Sequence, residues 1–316
     1  MTDATTDATT GPAPRTRGDG PWTAGHEHTV PVPGGRLAAT RWGDGPGTPV
    51  VAVHGITANG HSFARVAAEL SGLGGPPLVA PDLRGRGLSG HLPGRGGLAD
   101  HADDVIAVLD EHGVRRTVLV GHSMGAFVAC LASVRHPERV AGLLLVDGGH
   151  GLPVPPGTDI DAVLGPALLR LRMTFANADD YRAFWGRHPA FAGRWNTWAD
   201  HYVLRDLVGE PPRMRSACDE DAVRTDGAQV LADPDALGAV HRLPCPARLL
   251  WTARGLMDES PGLYTPERLA GLPGGVSTLG LPHDNHYSPL FSSTAALVAE
   301  QIHSLVQETV EVQGEL

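Results

Sequence analysis

Between residues 30 and 147 the chain repeats one rhythm that few architectures accommodate. Short apolar runs of strand length occur at 30–32, 37–42, 50–54, 78–81, 117–121 and 143–147, and amphipathic helical patterns at 61–70, 99–111 and 124–136 separate the later ones. Continuous apolar runs suit strands buried on both faces, and the intervening helices supply the cover. The expected class is α/β: a mostly parallel central sheet flanked by helices, entered through antiparallel strands at one edge.

The rhythm then stops. From 150 to about 240 the pattern is helical only, at 161–172, 179–186 and 195–207, with no strand. It resumes with a strand at 248–252, a helical piece near 266–269, a strand at 276–281 and a last helix over 290–306. An interruption of roughly 90 residues is too long for an ordinary loop. A helical cap over 150–241 is therefore expected, inserted between the strand ending near Asp147 and the strand beginning near Arg248, with a core of 23–149 and 242–307. Residues 1–22, polar and low in complexity, are expected to form a disordered leader, and 308–316 a flexible tail.

Composition narrows the function. A chain of 316 residues has ample length for a full apolar core. Its net charge of −10, with no clustered basic face, disfavours nucleic acid as a partner. No apolar run approaches the roughly 18 residues a membrane span needs, and the first residues lack an apolar signal segment, so no membrane partner and a cytoplasmic location are expected. Cys130, Cys218 and Cys245 are widely spaced without metal-ligand spacing and are expected to be reduced, buried thiols. No metal and no cofactor is expected, and the oligomeric state stays open.

The chemistry concentrates after the strand at 117–121. Gly121-His122-Ser123-Met124-Gly125 is a G-x-S-x-G segment running straight into a helix. A serine on such a tight turn is an exposed nucleophile, and glycines two positions to either side leave room for the neighbouring strand and helix. Upstream, Val53-His54-Gly55-Ile56 ends another strand, so the backbone N–H groups of Ile56 and Met124 are the expected oxyanion donors. Downstream, His286 follows the last strand on a loop before a helix whose first turn carries Ser288 and Pro289. It is the expected general base, with His283 as rival; service of the pair as metal ligands is the lesser alternative.

With these residues the chain resembles the α/β-hydrolase superfamily, in particular its capped serine esterases and lipase-like members. The resemblance covers about residues 26–307 and rests on His54-Gly55, the segment from Pro81 to Ser89 (P-D-L-R-G-R-G-L-S), Gly121 to Gly125, and Asn285-His286-Tyr287. It implies Ser123 as nucleophile, His286 as base, and a structural role for the loop at 81–89. The family usually places its acid after the strand that follows the cap, as G-x-x-D. Gly255-Leu256-Met257-Asp258 fits those letters, although Asp258 lies about three residues farther from the strand than the pattern implies. Asp147, closing the strand before the cap, is a position some relatives use. Asp258 is favoured and Asp147 is the rival; for Asp147 the plainer role is capping backbone N–H groups at the strand end.

Serine rather than aspartate at the elbow argues against haloalkane dehalogenase and epoxide hydrolase chemistry, which in this superfamily uses a carboxylate nucleophile. The expected function is hydrolysis of a carboxylic ester or lactone through an acyl-enzyme, on a small-molecule substrate with an apolar or aromatic part. Carbon–carbon bond hydrolysis or thioester hydrolysis on the same triad remains an alternative, with Arg182, Arg187 and Arg194 the available docking cations for an acyl carrier. A hydrolase-fold ligand-binding protein with little turnover is another. Eight aromatic residues between Phe175 and Tyr202 crowd the cap. They either form its own small core or, at Trp185 and Trp198, line the substrate cavity.

Overall fold

The computed structural model describes residues 25–45, 47–93, 97–152, 154–155 and 157–314, without the side chains of 160 and 311–314. The expected leader lies outside the described residues. Two antiparallel strands, β1 (Gly25–Val32) and β2 (Gly35–Trp42), precede the alternating unit β3 (Val50–Val53), α1 (Ala64–Gly72), β4 (Leu78–Pro81), α2 (Leu98–Glu111), β5 (Thr117–His122), α3 (Met124–Arg135) and β6 (Val140–Val146). After the insertion come β9 (Ala247–Thr252), α9 (Pro266–Leu269), β10 (Val276–Leu281), α10 (Ser288–Phe291) and α11 (Ala295–Gly314). One eight-stranded sheet results, in the order β1-β2-β4-β3-β5-β6-β9-β10, parallel from β4 onward.

Strand side chains alternate between the faces, and the two cores record it. Val51, Val53, Leu119, Leu143 and Leu145 pack with α2 and α3 on one face, whereas Val50, Ala52, Val118, Val120, Leu144 and Val146 pack with α1 and α11 on the other. Burial on both sides is why these strands read as unbroken apolar runs. The chain leaves β3 toward α1 on one face and leaves β5 toward α3 on the other. Adjacent parallel strands whose exits diverge leave a crevice at their carboxyl ends, where α/β proteins bind ligands. Ile56 and Ser123 stand at its two sides.

Between β6 and β9 lie α4 (Ile160–Leu171), α5 (Ala178–Gly186), α6 (Thr197–Arg205), α7 (Glu220–Ala232) and α8 (Pro234–Ala239). Their starts are written locally: Asn177, Asn196 and Asp219 accept from the first free backbone N–H groups of α5, α6 and α7. The expectation of no strand here is corrected by a two-residue antiparallel pair, β7 (Leu207–Val208) with β8 (Arg215–Ser216), too short to show any periodicity. Buried ion pairs fasten the insertion to the core: Arg205 Nε meets Asp82 Oδ2 at 2.9 Å, and Arg86 Nη1 meets Asp226 Oδ2 at 2.6 Å. The loop at 81–89 therefore has a structural task.

Two expectations for the C-terminus change. The single helix at 290–306 is divided into α10 and α11, and α11 continues through Gly314 where a flexible tail from 308 was expected. Arg248 reaches across from β9 to Glu308 and Gln301, so this end of the helix has partners on the sheet. Cys130 and Cys218 are buried and Cys245 half-buried, and all three are free thiols. Among the described residues no helix is long and apolar enough to cross a membrane.

Candidate active site

Ser123 sits between β5 and α3 with φ 55° and ψ −124°, a conformation L-residues rarely adopt. The turn is tight enough that a Cβ on Gly121 would lie 2.4 Å from the Gly125 carbonyl oxygen, and one on Gly125 2.0 Å from the Val53 carbonyl oxygen. Both glycines of the motif are therefore sterically required. Among the described residues, the non-glycine residues with left-handed backbone are Ser123, Asp147 and Asp258. Backbone strain of this kind costs of order 1–3 kcal/mol per residue, and it is concentrated here.

His286 is 3% exposed, and its Nδ1 lies 2.7 Å from Asp147 Oδ2. Asp147 is fully buried, and Thr252 at the end of β9 holds its carboxylate, donating from the backbone N–H to Oδ1 (3.0 Å) and from the hydroxyl to Oδ2 (2.9 Å). The expectation that Asp258 partners His286 is thus corrected. Asp147 follows β6 directly, and β6 lies beside β5, which ends at the elbow. Asp258 is six residues past β9 on a turn closed by Gly255 N–H to Glu259 O, and its carboxylate is taken by Arg254 Nε, Arg194 Nη1 and Asn285 Nδ2, at 2.9, 2.9 and 3.0 Å. Burial acts to raise its pKa, but the hydrogen bonds from Arg254, Asn285 and Arg194 prevail and hold it down to about 2.

Three buried side chains that sequence reasoning left without a role fix the geometry. His122 donates from Nε2 to the His286 carbonyl oxygen at 2.8 Å. Burial, and the nearby His286, press its pKa down to about 3, so it is neutral and keeps that donor. Asn285 ties the histidine loop down, donating to Ala190 O while its Oδ1 accepts from the N–H groups of Tyr287 and Ser288. Arg86 donates to the Ile56 carbonyl oxygen at 2.9 Å, restraining the peptide beyond the expected oxyanion residue. His122 and Asn285 flank the motif residues, which was the available signal, and Arg86 lies in the 81–89 segment expected to be structural.

Ile56, Ser123, Met124, Asp147 and His286 line one cavity of about 80 Å³, whose remaining walls are apolar. A second cavity of about 490 Å³ shares Val163, Leu164 and Leu256 with it and extends between helices of the insertion. Trp185, 4% exposed, lines this second space. Trp198 lines neither cavity; it packs half-buried against the core on the α1 and α11 face, which corrects its expected place in the substrate cavity. Phe184 lines the larger cavity, while Phe191 and Tyr202 pack within the insertion and against Phe291. His283, the rival base, is exposed and lines neither cavity.

Residues 48–191 match a family model described as the α/β hydrolase fold. The chain has the α/β-hydrolase fold, and its relatives and structural neighbours are α/β hydrolases. Its curated relatives include epoxide hydrolase A of Mycobacterium tuberculosis, 28% identical over 79% of this chain and 72% of that protein. A serine hydrolase-like protein of Danio rerio is 35% identical over 41% of this chain and 40% of its own length. The chain matches less than half the length of the first curated relatives. Among solved structures, the thioesterase domain from the curacin biosynthetic pathway superposes with a TM-score of 0.71 at 21% identity, covering 89% of this chain and 100% of that one, a likeness of fold.

Proposed function

We infer that this α/β-hydrolase is a serine hydrolase that cleaves a carboxylic ester or lactone with an apolar or aromatic part. The observation that carries the reading is a serine on a strained elbow in the same cavity as a histidine whose Nδ1 is 2.7 Å from a buried aspartate. In this reading Ser123 Oγ attacks the carbonyl carbon while His286 takes the hydroxyl proton, and Asp147 holds the imidazole and stabilises its charged form. The backbone N–H groups of Ile56 and Met124 receive the negative charge on the carbonyl oxygen. Collapse of the tetrahedral intermediate expels the alcohol with the proton from His286, leaving an acyl-serine. Water, deprotonated by His286, then releases the acid and restores Ser123.

The name of the Mycobacterium tuberculosis relative points to epoxides, but the elbow here carries a hydroxyl rather than the carboxylate that such chemistry uses in this superfamily. Thioester hydrolysis on an acyl carrier is the weaker reading. Arg182 is paired with Asp179 and Asp200, and Arg194 with Asp258, so two of the three expected docking cations are already neutralised. The helical insertion acts as the lid over the site and sets selectivity. Ser123→Ala should reduce hydrolysis of p-nitrophenyl esters to background with the circular dichroism spectrum unchanged, and a fluorophosphonate should label wild-type protein at Ser123. Wild-type rate in the variant, or labelling at another serine, overturns the assignment.

A further inference from the structure

The two adjacent cavities differ in size and in charge. The smaller, with Ser123 in its wall, has about 80 Å³, well short of the roughly 300–1,000 Å³ of small-molecule binding sites. The larger, at about 490 Å³, is within the range of small-molecule binding sites. Among the described residues, no carboxylate other than that of Asp147 lines either space. The larger one instead carries Arg170, Arg187 and His188, in a chain whose net charge is −10. Arg170 is buried and committed: its guanidinium bonds Asp206, Tyr181 and Ser216 and lies 5.0 Å from the Trp185 ring centroid. Arg187, just past the end of α5, is exposed on the cavity wall and makes no ion pair among the described residues.

The position of the larger cavity relative to the chemistry decides which half of a substrate enters it. Its walls include Thr57 and Tyr287, the residues that directly follow the oxyanion residue Ile56 and the base His286. The leaving alcohol must take its proton from His286, whose ring lines the smaller cavity while its neighbour Tyr287 lines the larger, and the alcohol part is assigned to the larger space on that ground. The acyl group is left in the small apolar cavity beside Met124 and Phe127.

We propose that the substrate is an ester of a short apolar acid with a longer apolar alcohol ending in a carboxylate, which Arg187 pairs on the wall of the larger cavity. This deepens the serine-hydrolase reading and rests on it. A guanidinium matches a carboxylate in a bidentate fork, which would set the depth of the alcohol part and leave the carbonyl at Ser123.

The test compares phenyl acetate, 4-(2-carboxyethyl)phenyl acetate, its 2-trimethylammonioethyl counterpart, and the monophenyl ester of adipic acid, which carries its carboxylate on the acyl side. Phenol release is followed with wild-type protein, Arg187→Gln and Arg187→Lys. Wild-type KM should be lowest for the carboxyethyl ester. Arg187→Gln should raise that KM about tenfold with kcat nearly unchanged, Arg187→Lys should restore part of it, and added salt should shrink the difference. The other three esters should respond little to Arg187→Gln. Equal KM ratios in wild type and Arg187→Gln, or an Arg187 effect on the adipate ester instead, overturns this inference and leaves the hydrolase standing. Hydrolysis of none of the esters overturns both.

Discussion

The loops that follow β6 and β9 each carry an aspartate with left-handed backbone, and the two carboxylates keep opposite company. Asp147, at φ 45°, is fully buried and is met by the Thr252 backbone and hydroxyl and by His286. Asp258, at φ 61°, is met by two guanidiniums and an amide. A carboxylate whose neighbours are neutral donors and an imidazole has charge left with which to stabilise an imidazolium. One already compensated by two arginines has little to offer. In the proposed reading, the same residue type at two neighbouring strand ends is thus divided between a role in chemistry and a role in holding loops together, and the division is made by the neighbours.

The largest effect that would break this contrast is on catalysis. Converting the acid of a Ser-His-Asp triad to its amide lowers kcat by about ten-thousandfold with geometry intact, because the imidazole is held in the wrong tautomer. Asp147→Asn should therefore lower kcat of ester hydrolysis by a hundredfold or more, and a value within about tenfold of wild type would return the acid role to Asp258. Next comes the support of that acid. Thr252→Val removes the hydroxyl donor at Oδ2 while keeping the backbone one, and should reduce kcat by about ten- to a hundredfold, since hydrogen bonds to charged groups contribute roughly 1.5–3 kcal/mol. Steady-state kinetics on one ester serve both variants.

Asp258→Asn should sharpen the contrast from the other side. It should change kcat/KM by less than about tenfold, whereas the melting temperature should fall by about 1–4 °C, as expected for partly exposed ion pairs that join α6's approach, the β9 loop and the histidine loop. The smallest effect is in its pH dependence. The folded-state pKa of Asp258 is depressed to about 2, so its contribution to stability is fully present above the unfolded carboxylate value near 4 and is lost as pH falls through about 2. The melting-temperature gap between wild type and Asp258→Asn should accordingly narrow from pH 4 downward, as calorimetry would detect, and a gap that widens in acid contradicts the arginine pairing.

How far the site was legible follows from how local each signal is. The elbow was readable because strand, glycine, serine, glycine and helix all lie within a few residues, and the steric need for both glycines arises inside that turn. His286 was readable because it follows the last strand and precedes a proline-marked helix start. The interruption at 150–241 was readable as a loss of strand period, though the short pair β7 and β8 was not, since two residues carry no period. Of the two expected cavity tryptophans Trp185 lines a cavity and Trp198 does not, because both lie in an amphipathic aromatic region and only the packing of the insertion decides which ring faces empty space.

The acid shows the boundary most sharply. Letters and chain order favoured Asp258, because G-x-x-D after a strand is a pattern that can be read along the chain. Which carboxylate reaches the imidazole is set by the lateral order β5-β6-β9 and by where the arginines of other segments come to rest, one of them in the insertion, 64 residues away in sequence. Local sequence by itself determined the strand and helix alternation, the elbow and the histidine loop, since sterics and burial act over a few residues. The choice of acid, the two cavities and the pairing of each arginine belong to tertiary structure, since hydrogen bonds and charges act through space between parts of the chain that no short window contains.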